Sequence, residues 1–152
     1  VEERIRKGIS MKYPVVGDSI MPMDMYGGPD QRKPIEVTKN NLKKLRKRCE
    51  EGKAWVAGIL PGAKSNFSKG IQGEIEEKIM SDQRMKFKDF VIEEMPELSS
   101  EGLYRPLMQN LNDLKVNYDK DGLPTFSFWL HKGTYATSFL REIMKSEDLK
   151  AY

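Results

Sequence analysis

Phe126–Glu142, FSFWLHKGTYATSFLRE, changes its periodicity part-way along. Phe126, Phe128 and Leu130 alternate with Ser127 and Trp129, the spacing of a strand that turns one face to a core. Beyond Gly133 the apolar positions are Ala136, Phe139, Leu140, Ile143 and Met144, which recur at helical spacing. Thr134 is placed to cap that helix, which should run to about Lys145. Just upstream, Asp113–Tyr118 and Pro124–Leu130 are strand-like runs joined by Asp119-Lys120-Asp121-Gly122, a hairpin signal. This stretch is expected as β-β-α, with Phe139, Leu140 and Ile143 covering one face of the ribbon.

The same reading extends toward the N-terminus. Tyr13–Met21 (YPVVGDSIM) reads as a strand with a turn or bulge at Gly17-Asp18, and Pro22–Pro34 as a loop. Thr38 is a good N-cap for a helix with Leu42, Leu45 and Cys49 on one stripe and Gly52 as its stop. Lys53–Ile59 reads as a strand closed by Leu60-Pro61-Gly62, and Ala63–Lys69 as a loop. Ile71, Ile75 and Ile79 mark a second helix, with Glu74, Glu76 and Glu77 on its wet side. Met85–Met95 fits neither period. Pro96–Gly102 is linker-like, and a boundary is expected there, between residues 1–101 and 102–152. The order β-α-β-α and then β-β-α gives the α+β class.

Bulk composition narrows the function classes. The chain has 152 residues, 38% of them hydrophobic and 32% charged, the profile of a soluble globular protein. No apolar run approaches the roughly 20 residues that cross a bilayer. Glu2, Glu3, Arg4, Arg6 and Lys7 make the start neither a signal peptide nor an anchor, and a chain opening within a charge run reads as a piece of something longer. One cysteine (Cys49) and one histidine (His131) put a zinc site of such ligands out of reach. The net charge of +3 decides little; its distribution matters more.

That distribution is uneven. Lys39, Lys43, Lys44, Arg46, Lys47 and Arg48 fall within one helix, and acidic residues arrive only at Glu50-Glu51. Two readings stand: a rail for RNA phosphates, in which clustered cations displace counterions, or a solvated helix face. Leu60-Pro61-Gly62 with Lys64 and Lys69 lacks the Gly-Lys-Ser/Thr ending of a nucleotide-binding loop. Glu74, Glu76 and Glu77 are not spaced to converge on a helix, and Asp18, Asp24 and Asp30 form no metal motif. His131 and Lys132 before the last helix are either a phosphate site or a loop without a role. Cys49, on an apolar stripe, reads as a small core residue.

Phe126–Glu142 also resembles the C-terminal signature of the TruD family of pseudouridine synthases. There a strand leads into Gly-[Ser/Thr/Cys]-[Tyr/Phe]-Ala-Thr and a helix carrying Arg-Glu, matched here by Gly133, Thr134, Tyr135, Ala136, Thr137, Arg141 and Glu142. Val16-Gly17-Asp18 resembles the family's Gly-Asp strand, and Leu60-Pro61-Gly62 its Pro-Gly turn. Gly70–Glu76 and Glu94–Arg105 resemble the archaeal branch. Matches in this order along nearly the whole chain are more specific than any one of them.

The resemblance implies an RNA-modifying enzyme that converts uridine, chiefly in transfer RNA, to pseudouridine without metal or organic cofactor. It implies a pseudouridine-synthase catalytic domain interrupted by a TruD-specific insert. Residues 1–101 would be the C-terminal part of that insert, and 102–152 a hairpin and helix of the catalytic domain. Tyr135 would line the uridine pocket, with Thr137 and Arg141 beside it as substrate contacts. Lys43, Lys44, Lys47, Arg48, Arg105 and Lys132 would contact RNA. The partners would be transfer RNA and the N-terminal half of the same enzyme, in the cytoplasm and without a membrane.

Two departures qualify the match. His131 stands where the family usually has Pro. The nucleophilic aspartate of the family lies in a Gly-x-Lys-Asp-Lys-x-Ala-x-Thr block, and the Lys-Asp pairs here, Lys88-Asp89 and Lys120-Asp121, are followed by Phe90 and Gly122. This chain therefore carries no expected catalytic residue of its own. Breaking the glycosidic bond and rejoining the base through carbon needs a carboxylate placed beside the sugar and a base held from solvent. An aromatic ring can do the holding. A stand-alone RNA-binding module and a protein-interaction domain are the competing readings, separated from the first by RNA binding without uridine chemistry, and by failure to bind RNA at low salt.

Overall fold

The computed structural model describes residues 1–32 and 34–145. Its elements are α1 (Glu2–Arg6), β1 (Ser19–Pro22), β2 (Ile35–Glu36), α2 (Leu42–Glu50), β3 (Ala54–Leu60), α3 (Gly70–Asp82), β4 (Leu103–Pro106), β5 (Asn112–Tyr118), β6 (Pro124–Trp129) and α4 (Ala136–Met144). Of two short 3₁₀ turns, Phe87–Phe90 lies in the stretch that fits neither period and Pro96–Leu98 opens the linker-like stretch after it. The first compact unit is Val1–Met108, and the second begins at Gln109.

The first unit is built on an antiparallel sheet ordered β2-β1-β3-β4. Ile20 pairs with Val56 and Met21 with Trp55 across the β1–β3 ladder. Ile20, Ala54 and Val56 form one core cluster with Val37 and with Leu45 and Cys49 of α2. Met21, Trp55 and Ala57 alternate with them and are also buried, so the central strands are covered on both faces. Leu103–Pro106 pairs with Ala57–Leu60 and Leu107 N–H donates to Val56 O (2.8 Å), so main-chain hydrogen bonding carries the first sheet past Glu101–Gly102 to Leu107.

The expected strand Tyr13–Met21 is shorter than its apolar run, because residues 15–18 make a turn that the rest of the unit grips. Gly17 N–H donates to Val37 O (2.8 Å), Lys69 N–H to Gly17 O (2.8 Å), and Val37 N–H to Asp18 O (2.8 Å). Gly17 has φ +97°, and a Cβ there would lie 2.4 Å from Lys69 O. Only glycine fits.

Asp18 lies at the bottom of this turn, 0% exposed, and faces Arg4, 1% exposed. The guanidinium makes a bidentate pair with the carboxylate, Nη1–Oδ1 and Nη2–Oδ2 both 2.7 Å. Nε also donates to Ser10 O (2.9 Å) and Nη1 to Gln72 Oε1 (2.9 Å). Gln72 Nε2 donates to Glu76 Oε1 (2.8 Å), and Glu76 accepts from Ser68 N–H (2.8 Å) and Oγ (3.2 Å).

This network corrects the expected face of α3. Glu76 is buried with Gln72, Ile75 and Met80, whereas Ile71 and Ile79 are 40% and 43% exposed. A buried guanidinium requires acceptors, and Gln72, itself fastened by Glu76, is drawn inward to supply one. Glu74 and Glu77 stay exposed.

The expected caps are also corrected. Thr38 does not cap α2: Asn41 holds the N-cap position, and its side chain looks backward, accepting from Thr38 N–H (2.8 Å) and donating to Glu36 O (2.9 Å). The helix is thereby fastened to β2 and not capped by a side chain. At its other end Gly52 N–H meets Cys49 O (3.2 Å) and Lys53 N–H meets Arg48 O (2.8 Å), the pairing of a Schellman stop. Thr134 does not cap α4 either; Tyr135 holds that position.

In the second unit β5 and β6 pair antiparallel, Val116 opposite Phe126, with a bulge between Asn112 and Lys115. Asp119 organises the connection by accepting from Asp121 N–H (2.9 Å) and Leu123 N–H (2.8 Å). Phe139 of α4 packs edge-on to Phe126 (5.8 Å) and Phe128 (4.9 Å), as the alternation requires. Leu140 and Ile143 contribute less cover than expected, being 37% and 46% exposed.

Two predictions concern the first unit. Asp18→Ala, which strands a buried guanidinium, should cost ~3–5 kcal/mol of unfolding free energy in a urea titration. Cys49 is buried, and that burial, reinforced by the charge of Asp18 against Arg48 and Lys12, pushes its thiol up to about 11. A thiol pKa raised above its ordinary 9.0 stabilises the fold below pH 9, and that contribution is lost as pH rises toward about 11. In native protein at pH 8 an aromatic disulfide reagent should label Cys49 only as fast as the chain unfolds.

Candidate functional site

Two groups of candidate residues emerge, one in each compact unit. The first is on α2. Lys43, Lys44 and Lys47 are exposed and Arg48 half-buried. With Lys39, Asn40 and Arg46, the three lysines line an open groove of about 890 Å³. Lys44 and Arg48 also edge a smaller, apolar-floored pocket of about 270 Å³, with Ile20, Ile35, Leu45 and Ala54. The helix directs this charge because its other face, Leu45 and Cys49, is spent on the core. Compensation is partial, with Glu50 the one acid in the lining of the groove. Lys47 reaches Glu51 only at 4.0 Å, and Glu51, held below its ordinary range by Lys53, pairs with Lys53 at 2.9 Å. Arg46 is partly committed, its Nε donating to Pro14 O (3.1 Å). Arg105 stands apart from this groove, half-buried on β4 opposite Gly58.

The second group surrounds the start of α4. His131–Thr134 is a turn closed by Thr134 N–H to His131 O (3.0 Å), and Gly133 takes φ +86° within it. That conformation accounts for glycine at this point of the motif. Tyr135, in extended backbone just before the helix, is 58% exposed and is not enclosed by Phe126, Phe139 and Ile143. Thr137 and Arg141 follow on α4, one turn apart and both exposed. Lys132 is exposed in the turn, whereas the His131 ring packs edge-on to Trp129 at 4.4 Å. The histidine at the family's proline position therefore has a packing partner.

The remaining acidic candidates have local duties. Asp24 accepts from Tyr26 N–H (2.8 Å) and Gly28 N–H (2.9 Å), and Asp30 from Arg32 N–H (2.9 Å). Among the described residues no group of three or more His, Cys, Asp or Glu could hold a metal ion, and no helix is long and apolar enough to cross a membrane. Sequence reasoning missed the Arg4–Asp18–Gln72–Glu76 network, since nothing in a mixed charge run distinguishes Arg4 from its neighbours.

Residues 1–143 match the family model described as TruD, tRNA pseudouridine synthase D. The chain belongs to the TruD family. Among its TruD relatives, the protein of Methanosarcina acetivorans named "Probable tRNA pseudouridine synthase D" is 35% identical over 97% of this chain and 34% of its own length. The Pyrococcus furiosus protein of the same name is 33% identical over 96% of this chain and 35% of its own length. The crystal structure of the Methanosarcina mazei TruD protein superposes with a TM-score of 0.82 at 32% identity, covering 94% of this chain and 34% of that one. The mixed helix-and-strand fold is thus a TruD fold. The chain spans about a third of the length of the curated relatives it matches.

Proposed function

We propose that this chain is the C-terminal portion of a pseudouridine synthase that isomerises uridine in transfer RNA, and that on its own it lacks the reacting aspartate. The observation that carries this reading is the family match running through residues 1–143, with the Gly133–Thr137 turn and Arg141-Glu142 inside it. On this reading residues 1–101 derive from the TruD-specific insert and 102–152 from the catalytic domain, whose first strand, β4, pairs with β3 of the insert. The partners are transfer RNA and the N-terminal half of the enzyme, in the cytoplasm, and the reaction uses no cofactor.

The division of labour follows from the chemistry. The α2 cations, with Arg105 and Lys132, hold phosphates, which sets position and affinity without reading sequence. Tyr135 holds the detached uracil by stacking while it turns to present carbon to the sugar, and Thr137 and Arg141 contact the substrate from the same helix. The exposure of Tyr135 supports this role, because a ring that must receive a base cannot be spent on its own core. A stand-alone RNA-binding module is the second reading, supported by the open basic groove of α2.

Two measurements test the proposal. The 152-residue chain should release no tritium from 5-tritiated uridine in transfer RNA, whereas the full-length protein should. In that full-length protein Tyr135→Ala should lower kcat by roughly a hundredfold and Tyr135→Phe far less, since misplacing a reacting group costs that much. Turnover by the short chain would show that it holds a nucleophile of its own.

Replacing Lys43, Lys44, Lys47 and Arg48 by Gln should weaken RNA binding equally for all sequences. The slope of log affinity on log salt should flatten by roughly three to four units, at ~0.7–0.9 per phosphate contact. An unchanged slope would make α2 a solvated face.

A further inference from the structure

Beside the α2 groove, the segment Lys12–Pro14 is held from both ends. Ser10 Oγ accepts from Lys12 N–H (3.2 Å) and Tyr13 N–H (2.9 Å), and Ser10 O is held by Arg4 Nε (2.9 Å). On the other side Pro14 is fully buried, and its carbonyl takes the Nε of Arg46 at 3.1 Å. Arg46 in turn lines the groove with Lys39, Lys43, Lys44 and Lys47. Between these anchors Tyr13 is 38% exposed, with Lys12 Nζ 5.6 Å from its ring centroid. Tyr13 belongs to no strand, although the apolar run around it suggested one.

We infer that Tyr13 is a stacking platform for an unpaired base of single-stranded RNA whose phosphates lie along α2. The inference rests on the reading of α2 as an RNA contact and adds to it the residue that engages a base. Aromatic rings set among cations are how proteins grip single strands without reading sequence, because every base offers a π-face. The clamped backbone matters for affinity, since a segment already ordered by Ser10 and Arg46 has little conformational freedom left to lose on binding. Lys12, whose ammonium lies over the ring, supplies a cation for the phosphate beside the stacked base.

The test titrates the 152-residue chain with fluorescently labelled oligouridylate and with an abasic oligomer of equal length, following anisotropy. Tyr13→Ala should weaken oligouridylate binding by roughly fivefold to a hundredfold, the loss typical of one base–aromatic stack, and leave abasic binding unchanged. Tyr13→Phe should bind as the parent does, and all variants should keep the parent's salt slope and circular-dichroism melting curve. Salt-dependent binding that Tyr13→Ala does not weaken, or weakens equally for both oligomers, overturns the stacking role and leaves α2 as a phosphate contact. Failure of the parent chain to bind either oligomer at low salt overturns both.

Discussion

A guanidinium that has been taken out of water needs acceptors, and the first compact unit is arranged to bring them to Arg4. Asp18 takes the fork, Gln72 and Ser10 take two further donors, and Glu76 holds Gln72 in place. One side chain thereby ties the N-terminal helix to the turn before β1 and to the helix after β3. The cost of burying the two charges is large, so what the pair makes strongly unfavourable is the loss of one partner, which strands the other charge. Its position under Gly17 explains the close approach of that turn to Lys69, because the acid must reach inward while the backbone lets two loops cross above it.

What could be read from the sequence was what depends on neighbours along the chain. The alternation through Phe126 and Phe128, the Asp119–Gly122 connection and the Leu45–Cys49 stripe are local patterns, and the structure follows them. What could not be read depends on partners far away. Glu76 looks wet until Ser68 and Gln72 are placed around it. Thr38 and Thr134 have capping chemistry, but each helix begins two or more residues later, where Asn41 is needed to fasten β2 and Gly133 has first to reverse the chain. Strand β2, two residues long, exists only because β1 offers it an edge.

The candidate site shows the same division in chemical form. A run of cations with few acids announces itself by density, so the α2 surface was visible without coordinates. The part assigned to Tyr135 came from a resemblance, and its geometry has a clear physical basis: a left-handed glycine turn ends the approach from β6 and delivers an exposed ring at the threshold of α4. Tyr13 was hidden for the opposite reason. Its neighbours suggested a strand, and only the hydrogen bonds to Ser10 and Pro14 reveal a fixed loop with a ring at its tip.

The Arg4–Gln72 contact closes 68 residues of chain. An entropic cost of that size is met only once, and it grows slowly with loop length, so the contact is affordable but late. The sheet and α2 lie wholly inside that span apart from β4, and can assemble by shorter closures. The Arg4–Asp18 ion pair closes only 14 residues, so the short loop can form early and hold the guanidinium where Gln72 later meets it.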